Sequence, residues 1–261
     1  MPSNNNAPPC TMKMWIAPGW GNSNAVAWLR RLPEIAAASD PSQDLYRGRN
    51  RLLRIDGPWP QLGPVVIKAF RIPRGIQARG YSLRRSKALR SLINGLLLQH
   101  CALPTPQPLA CVEERESGIL RRSWYVSAAF ATQQTIREDL GGRLNVASAQ
   151  RLRSTAQLAA ALHQHGMLHR DFSPGNVLFN ADDQLTLVDI NRMDLGPLRQ
   201  RRAVWSLCRM YARGEQRRLL CSAYAQACSL DVAAVERRVW HADRALRLLR
   251  AFKRNLRSWR R

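Results

Sequence analysis

The sequence predicts an α+β protein with two lobes, a small β-rich N-terminal lobe and a mainly helical C-terminal lobe. Two observations support this class. Short apolar runs of strand length are concentrated between residues 45 and 130, whereas apolar residues at helical spacing begin near Ser148 and dominate the rest of the chain. With 261 residues, of which 45% are hydrophobic, the chain can bury a core in one two-lobed domain or in two small domains.

The domain boundaries follow from this pattern. We expect residues 1–14 to form a disordered leader, residues 15–130 to form the N-lobe with an N-terminal helical extension, and residues 131–261 to form the C-lobe with basic C-terminal helices. The extension contains two short helical pieces, 25–31 and 34–38, separated by a proline. No apolar run reaches the length of a membrane span, and the N-terminus lacks the pattern of a signal peptide.

The most informative stretch is LHRDFSPGNVLF, residues 168–179, followed by LTLVDINRM, residues 185–193. Asp171 and Asn176 stand five positions apart around a Ser-Pro-Gly turn, and Asp189 ends the next apolar run. Apolar residues on both sides of an Ala-Asp-Asp turn predict two short antiparallel strands. Such a hairpin would bring Asp189 back beside Asn176, so that all three side chains lie on one wall of a site.

This spacing is typical of a kinase catalytic loop followed by a metal-binding aspartate. Phosphoryl transfer needs a carboxylate that accepts the hydroxyl proton. We identify Asp171 for this role, with His169 and Arg170 as its catalytic-loop neighbours. Transfer also needs oxygen ligands that hold Mg²⁺ against the phosphates of ATP, for which we identify Asn176 and Asp189. The alternative is that His-Arg-Asp only caps a helix and pins a turn, which leaves the asparagine, the hairpin and the second aspartate without explanation.

A lysine lies within the apolar strand PVVIKAF, residues 64–70. Burying an ammonium group is costly unless it has a partner, so Lys68 is the candidate for holding the α- and β-phosphates of ATP. The alternative is a lysine on an edge strand that reaches water. The helix predicted over residues 86–100 should supply a glutamate to this lysine, but there is no Asp or Glu between Gly57 and Cys111. Either phosphate and other groups hold Lys68, or a carboxylate arrives from elsewhere.

Two further segments complete the expected nucleotide site. Gly48, Arg49 and Asn50 stand where a glycine-rich loop is expected, so Arg49, Asn50 and backbone amides would hold phosphate. In isolation this motif is weak, because Gly and Asn are mostly turn residues. We expect adenine to meet backbone groups of the linker between the lobes, from Ala128 to Ala131.

The net charge of +23 and the pI near 11.4 predict a polyanionic partner, such as nucleic acid, an anionic membrane face or a phosphorylated glycolipid. From residue 197 to the end there are 17 Lys and Arg against 4 Asp and Glu. The last helix is typical of one lying on an anionic membrane surface, or alternatively of one docked on the C-lobe through its apolar stripe. That stripe consists of Leu246, Leu249, Phe252, Leu256 and Trp259. The arginine clusters match no nucleic-acid-binding module, so nucleic acid is not the expected partner.

These segments, together with RGRNRLLR, SKALRS and LPTPQPLA, resemble the lipopolysaccharide core kinases, the Kdo and heptose kinase group of the protein-kinase-like fold. The resemblance covers residues 45–193, and LPTPQPLA and DINRM are its most discriminating pieces. It implies a cytoplasmic enzyme, peripherally associated with the inner membrane of a Gram-negative bacterium, that moves the γ-phosphate of ATP onto an inner-core sugar. Carried over, it makes Asp171 the base, Asn176 and Asp189 the Mg²⁺ ligands and Lys68 the phosphate-binding lysine. The lipopolysaccharide core and the anionic inner-membrane surface are then the expected partners.

Two other functions remain open from the sequence. One is a different kinase of the same fold, such as an antibiotic phosphotransferase or a small atypical protein kinase, although the basic tail argues against a cationic acceptor. The other is a protein without catalysis that keeps the fold and binds an anionic membrane or nucleic acid. The four polar residues at Asp171, Asn176, Asp189 and Lys68 argue against this second function, and the missing helix carboxylate argues for it.

Overall fold

A computed structural model describes residues 10–73 and 75–258, with side chains as far as Phe252. The chain forms two compact units, the first ending at Phe130 and the second beginning at Ala131. A six-stranded sheet dominates the first unit, and helices dominate the second. The predicted α+β class, with a β-rich N-terminal part and a helical C-terminal part, is confirmed.

The sheet of the first unit is antiparallel throughout. Its strands are β1 (Cys10–Ile16), β2 (Asp44–Arg47), β3 (Arg51–Asp56), β4 (Pro64–Ala69), β5 (Pro108–Glu116) and β6 (Ile119–Ala128). They lie side by side in the order β1-β5-β6-β4-β3-β2. The tight turn between β5 and β6 has two residues with positive φ, Ser117 and Gly118.

The first strand corrects the predicted leader. A disordered segment over residues 1–14 is wrong for residues 10–14, which belong to β1 and pair with β5 along the whole strand. Alternation of side chains explains this pairing, because Met12 and Met14 pack on one hydrophobic core of the sheet while Trp15 packs on the other. The nine residues that precede β1 lie outside the described part of the chain.

Two short helices make up the predicted extension, α1 (Ser23–Arg30) and α2 (Leu32–Ala38). Asn22 begins α1, because its side chain accepts a hydrogen bond from the Ala25 amide at 2.8 Å. Pro33 lies in the first turn of α2, where its missing N–H removes no helical hydrogen bond. Leu29 and Leu32 are fully buried against one face of the sheet.

Two further helices of the first unit are α3 (Ile76–Ser82) and α4 (Lys87–His100). Ser86 begins α4, since its hydroxyl accepts a hydrogen bond from the Leu89 amide at 3.0 Å. Leu92 of α4 packs with Tyr125 in the second core of the sheet. The prediction of a helix over residues 86–100 is confirmed, with its first residue as the cap. Helix α3 was not predicted from the sequence, because it buries only one side chain and therefore has no apolar stripe.

The second unit is built from helices and short strands. Its helices are α5 (Ile136–Gly141), α6 (Val146–Gln164), α7 (Gln200–Ser206), α8 (Gly214–Ala227) and α9 (Val232–Ser258). Its strands are β7 (Gln134–Thr135), β8 (Met167–His169), β9 (Val177–Phe179), β10 (Leu185–Leu187) and β11 (Met193–Leu195). Asn145 caps α6, so this helix begins before the predicted Ser148. Its apolar face is buried, at Leu152, Ala156, Ala159 and Leu162.

His163 on α6 joins three helices of the second unit. Its Nδ1 lies 2.8 Å from the Tyr224 hydroxyl on α8, and its Nε2 lies 3.3 Å from the Ser206 hydroxyl on α7. Burial lowers the pKa of His163 from its ordinary value of 6.5 to about 4. The imidazole is therefore neutral at pH 7, and its role is structural.

We expect the free energy of unfolding to fall as the pH is lowered from 6.5 towards 4. Because the pKa of His163 is lower in the folded than in the unfolded chain, the unfolded chain binds the proton first, and stability present above pH 6.5 is lost. The size of the shift corresponds to roughly 2–4 kcal/mol. Urea unfolding at pH 7 and pH 4.5 should show a smaller loss in the His163→Gln variant. Equal losses in both proteins would contradict this role of His163.

The last helix, α9, is only partly covered. Val239 is buried and Leu246 is half-buried, whereas Leu248, Leu249 and Phe252 are 65%, 53% and 62% exposed. The apolar stripe therefore does not dock on the rest of the unit through Leu249 and Phe252. The other two members of the predicted stripe lie beyond the described side chains, at Leu256 and Trp259.

Candidate active site

The loop between β8 and β9 holds Asp171 and Asn176 in one tight turn. The Ser173 amide donates a hydrogen bond to the Asp171 carbonyl at 2.7 Å, and Asn176 Nδ2 donates to the same carbonyl at 2.8 Å. Asn176 Nδ2 also lies 3.2 Å from Ser173 Oγ. These bonds fix the main chain of the loop but leave the Asp171 side chain 44% exposed. The carboxylate is thus open to a substrate hydroxyl.

The hairpin of β9 and β10 places Asp189 beside this loop. The two strands pair antiparallel, and directly after them the Val188 amide donates to the Asn176 carbonyl at 3.0 Å. Asp183 adopts a φ of 56° in the connecting turn, a conformation that Asp tolerates better than most residues. The structure therefore brings Asp171, Asn176 and Asp189 together within the second unit.

Asp189 has an uncommon main-chain conformation. Its φ of 57° lies in the left-handed region, which Asp tolerates better than most residues other than glycine, as it does at Asp183. Asn191 supports this conformation, since Asn191 Nδ2 donates a hydrogen bond to Asp189 Oδ1 at 2.6 Å. Asn191 itself is buried, and its Oδ1 has no hydrogen-bond partner among the described residues. The side chain of Asp189 is therefore held in a fixed direction by a buried neighbour.

The oxygen atoms of Asn176 and Asp189 are of the kind that Mg²⁺ prefers in proteins. Because Asn176 uses its Nδ2 within the loop, its Oδ1 is the atom that would bind a cation. Among the described residues, no group of three or more His, Cys, Asp or Glu side chains could hold a metal ion. A cation here would take few protein ligands and complete its shell with phosphate and water, which is how Mg²⁺ is usually bound at phosphate sites. The residues fit this metal.

His169 positions the catalytic loop from inside the protein. It is buried, its Nδ1 accepts a hydrogen bond from the Asp171 amide at 3.2 Å, and its Nε2 donates to the Val188 carbonyl at 3.2 Å. Burial lowers the pKa of His169. The assignment of His169 to catalysis is corrected to a positioning role, because both ring nitrogens are engaged by the protein itself. The Arg170 Nε donates to Asp194 Oδ1 at 2.6 Å, but the Arg170 side chain is 61% exposed, so its role in catalysis stays a prediction.

One cation beside Asp171 was not predicted from the sequence. Arg209 follows α7 in a short 3₁₀ turn, and its Nη1 lies 3.8 Å from Asp171 Oδ1. Both side chains are partly exposed. No motif marks Arg209, which is 38 positions after Asp171 and is one of 41 Lys and Arg residues. A guanidinium group beside a candidate base can orient the carboxylate or pair with phosphate oxygens.

Replacing Arg209 with alanine is expected to lower kcat about 10- to 100-fold, because a hydrogen bond from a charged group to phosphate is worth roughly 1.5–3 kcal/mol. Arg209→Lys should restore part of this loss, since it keeps the charge but not the planar fork. Steady-state kinetics should show the effect mainly in kcat. Arg218→Ala, an exposed position on α8, is the matched control. Equal activities of the Arg209→Ala and Arg218→Ala variants would rule out a role for Arg209.

Lys68 belongs to the first unit, where β4 places it opposite Leu52 of β3 and Tyr125 of β6. Its side chain is half-buried, and its Nζ lies 5.3 Å from the centroid of the Phe70 ring. Helix α4 carries no carboxylate. Glu113 of β5 lies on the same face of the sheet but binds Arg115, with Nη2 to Oε2 at 2.8 Å.

The turn between β2 and β3 contains Gly48, Arg49 and Asn50. A Cβ at position 48 would lie 2.3 Å from the Tyr46 hydroxyl oxygen, but Tyr46 is 54% exposed and its ring can move away, so packing alone does not require glycine there. Asn50 Oδ1 accepts a hydrogen bond from the Arg71 amide at 3.3 Å, so its side chain ties the turn to the end of β4. Arg49 is exposed at the tip of the turn. Of the two residues predicted to hold phosphate, Arg49 keeps an open side chain and Asn50 has a structural contact.

The structure restricts the predicted adenine contacts to backbone groups of the linker other than two amides. The Ala128 amide donates to the Gln107 carbonyl at 2.9 Å, and the Ala129 amide donates to the Pro64 carbonyl at 2.9 Å. Neither amide is therefore free to bind a base. Ala131 is exposed and is the first residue of the second unit.

Comparison with known proteins places this site in a family. The family model described as "phosphotransferase enzyme family" matches residues 61–236, which is more than half of the chain and includes Lys68, Asp171, Asn176 and Asp189. No curated protein matches the chain. The family match is broader than the lipopolysaccharide core kinase group and does not identify that group. The chain belongs to the phosphotransferase enzyme family and is a kinase-type enzyme with a kinase-like fold.

Proposed function

We propose that the protein is an ATP-dependent kinase that phosphorylates a sugar hydroxyl of the lipopolysaccharide inner core at the cytoplasmic face of the inner membrane. The observation that carries this proposal is the arrangement of Asp171, Asn176 and Asp189 around one loop and one hairpin. Family membership supports phosphoryl transfer, and the net charge of +23 supports an anionic acceptor. The segments LPTPQPLA and DINRM support the core sugar through their resemblance to kinases of that group.

In this mechanism, Asp171 accepts the proton of the acceptor hydroxyl while the hydroxyl oxygen forms a bond to the γ-phosphorus of ATP. The bond between that phosphorus and the β–γ bridging oxygen breaks, and its electron pair leaves with ADP. Asn176 and Asp189 would hold Mg²⁺, which when bound offsets the negative charge of the phosphates. Lys68 of the first unit is the candidate to bind the α- and β-phosphates, and Arg209 adds positive charge beside the base.

Helix α9 supports association with an anionic membrane surface. Leu248, Leu249 and Phe252 are exposed near its end, and Arg247 and Arg250 lie among them on the same helix. An exposed apolar group flanked by arginines is the usual pattern of a helix that lies in the membrane interface. Among the described residues, no helix is both long enough and apolar enough to cross a membrane. The proposed association is therefore peripheral.

Replacing Leu248, Leu249 and Phe252 together with glutamine is expected to reduce binding to anionic vesicles about tenfold or more, because the apolar contact with lipid is lost while the charge is kept. Because glutamine has a high helix propensity, helix α9 should be kept in this variant. The Kd for ATP should therefore not change. Vesicle flotation measures the effect. The control replaces three other exposed apolar residues with glutamine, at Ile76, Leu83 and Val146. Equal losses in both triple variants, or none in the α9 variant, would contradict this role of α9.

The acceptor is tested by offering several acceptors in parallel to the native protein with γ-labelled ATP. We expect label in purified core glycolipid and none in the same glycolipid lacking its inner-core sugars, in a cationic aminoglycoside or in a basic protein. Label in the aminoglycoside or the protein instead would support another kinase of the same fold. In both cases phosphoryl transfer stands, so this experiment separates the acceptor from the reaction.

A further inference from the structure

The first unit contains an open cavity of about 1100 Å³ with a strongly positive lining. Its cations come from separate elements of the unit. They are Arg49 in the turn between β2 and β3, Arg71 two residues after the end of β4, Lys87 at the first position of α4, and Arg121 in β6. Among the described residues that line the cavity there is no Asp or Glu. Positive charges that converge without carboxylates repel one another, so such a lining favours an anionic ligand.

Local contacts hold the main chain from which these cations extend. The hydrogen bond from the Arg71 amide to Asn50 Oδ1 holds the Arg49 turn beside Arg71. The Lys87 Nζ lies 6.0 Å from the centroid of the Tyr81 ring, and the start of α4 adds the partial positive charge of a helix N-terminus. The fold therefore places the three arginines and Lys87 around one cavity.

One cation of the cavity, Arg121, has a carboxylate partner at the surface. The Arg121 Nε lies 2.6 Å from Glu116 Oε2, and the Arg121 side chain is half exposed. Because surface ion pairs contribute little free energy, an anionic ligand can replace this carboxylate. No acidic residue occurs in the sequence between Gly57 and Cys111, which contains Arg71 and Lys87. The excess positive charge of this region is thus a property of the chain as well as of the cavity.

The size of the cavity distinguishes between anions. A volume of about 1100 Å³ is far larger than one phosphate group and lies slightly above the usual range for pockets that bind whole small molecules, about 300–1,000 Å³. Arginine forks bind phosphate with two parallel hydrogen bonds, and the cavity has three arginines in addition to Lys87. We infer that this cavity binds a sugar headgroup that carries two or more phosphates and so anchors the anionic glycolipid on the first unit. The choice of a sugar rests on the proposed function, whereas the preference for several phosphates rests on the cavity itself.

The test is a binding titration of the full chain, without ATP, using a soluble glucosamine disaccharide that carries two phosphates. Arg71→Ala combined with Arg121→Ala is expected to weaken binding about tenfold or more, because each lost contact is a charged hydrogen bond. Arg30→Ala combined with Arg31→Ala removes the same charge from exposed positions outside the cavity and should change the Kd less than about twofold. Equal weakening by both double variants would mean diffuse attraction and would overturn the inference.

Further arms identify the ligand. The same disaccharide without phosphates should not bind, and vesicles that carry the phosphorylated headgroup should bind with the same dependence on Arg71 and Arg121. Displacement of the disaccharide by ATP would assign the cavity to the nucleotide and overturn the inference, as would equal affinity for pyrophosphate.

The Asp171→Asn variant should bind the disaccharide like the native protein. Binding that depends on the cavity, without any phosphorylation of core glycolipid, would remove the proposed function alone. Phosphorylation of core glycolipid with native binding in the Arg71 and Arg121 variant would remove this inference alone.

Discussion

Replacing Asp171 with asparagine is expected to lower kcat by a factor of about 10²–10⁴, the usual contribution of a general base. Asparagine keeps the size of the side chain but cannot accept the hydroxyl proton. The hydrogen bonds from Ser173 and Asn176 go to the Asp171 carbonyl and remain in the variant. The fold and the Kd for ATP should therefore stay close to native. Steady-state kinetics with γ-labelled ATP, together with thermal unfolding, measures these effects.

Asp182→Asn is the matched control for this variant. Asp182 lies exposed in the turn between β9 and β10, and its substitution removes the same charge at a position close in sequence to the site. We expect its kcat to equal that of the native protein. If the Asp171→Asn variant kept more than about a tenth of native activity, Asp171 would not be the base.

Replacing Asp189 with asparagine is expected to lower kcat about 10²-fold or more and to raise the Mg²⁺ concentration needed for half-maximal activity. The reason is that the cation loses a charged ligand. Asparagine also tolerates the left-handed φ of 57°, and its Oδ1 can still accept the hydrogen bond from Asn191. The melting temperature should therefore change little. A Mg²⁺ titration of phosphoryl transfer measures the shift.

Asp183→Asn provides a close control, because Asp183 is also an aspartate with a left-handed φ, here 56°. It lies in the hairpin turn and pairs with Arg151 at 2.8 Å, away from Asn176. We expect its Mg²⁺ dependence to match that of the native protein. An unchanged Mg²⁺ requirement in the Asp189→Asn variant would exclude Asp189 as a ligand of the cation.

The loop and hairpin of the candidate site could be predicted because their contacts are local. Asp171 and Asn176 are five residues apart, and one short hairpin separates Asn176 from Asp189. Turn residues and apolar alternation set the geometry over such distances. The positive φ of Asp189 could not be predicted, since it depends on a buried contact with Asn191 that no pattern marks.

Contacts between distant residues could not be predicted in the same way. Strand β1 is stabilised by β5, with Cys10 opposite Glu116, and a short run of seven residues gives little sign of a strand without that partner. Arg209 reaches Asp171 only through the packing of the second unit. Its identity as one arginine among many carries no information about its position.

The hydrogen-bond partners of individual polar groups could not be predicted from the sequence either. His169 and Asn50 belong to recognisable segments, yet their side chains make contacts within the protein. The Ala128 amide is likewise used by the Gln107 carbonyl. A motif fixes which residues are near one another, whereas the hydrogen-bond partner of each group depends on the completed fold.

Transfer of label from γ-labelled ATP to purified core glycolipid, with and without Mg²⁺, tests phosphoryl transfer at Asp171 most directly. We predict a labelled phosphate ester on the glycolipid that requires Mg²⁺ and is lost in the Asp171→Asn variant but kept in the Asp182→Asn variant. The contradictory result is a folded native protein that labels no glycolipid, sugar or protein, or one whose labelling is unchanged by Asp171→Asn.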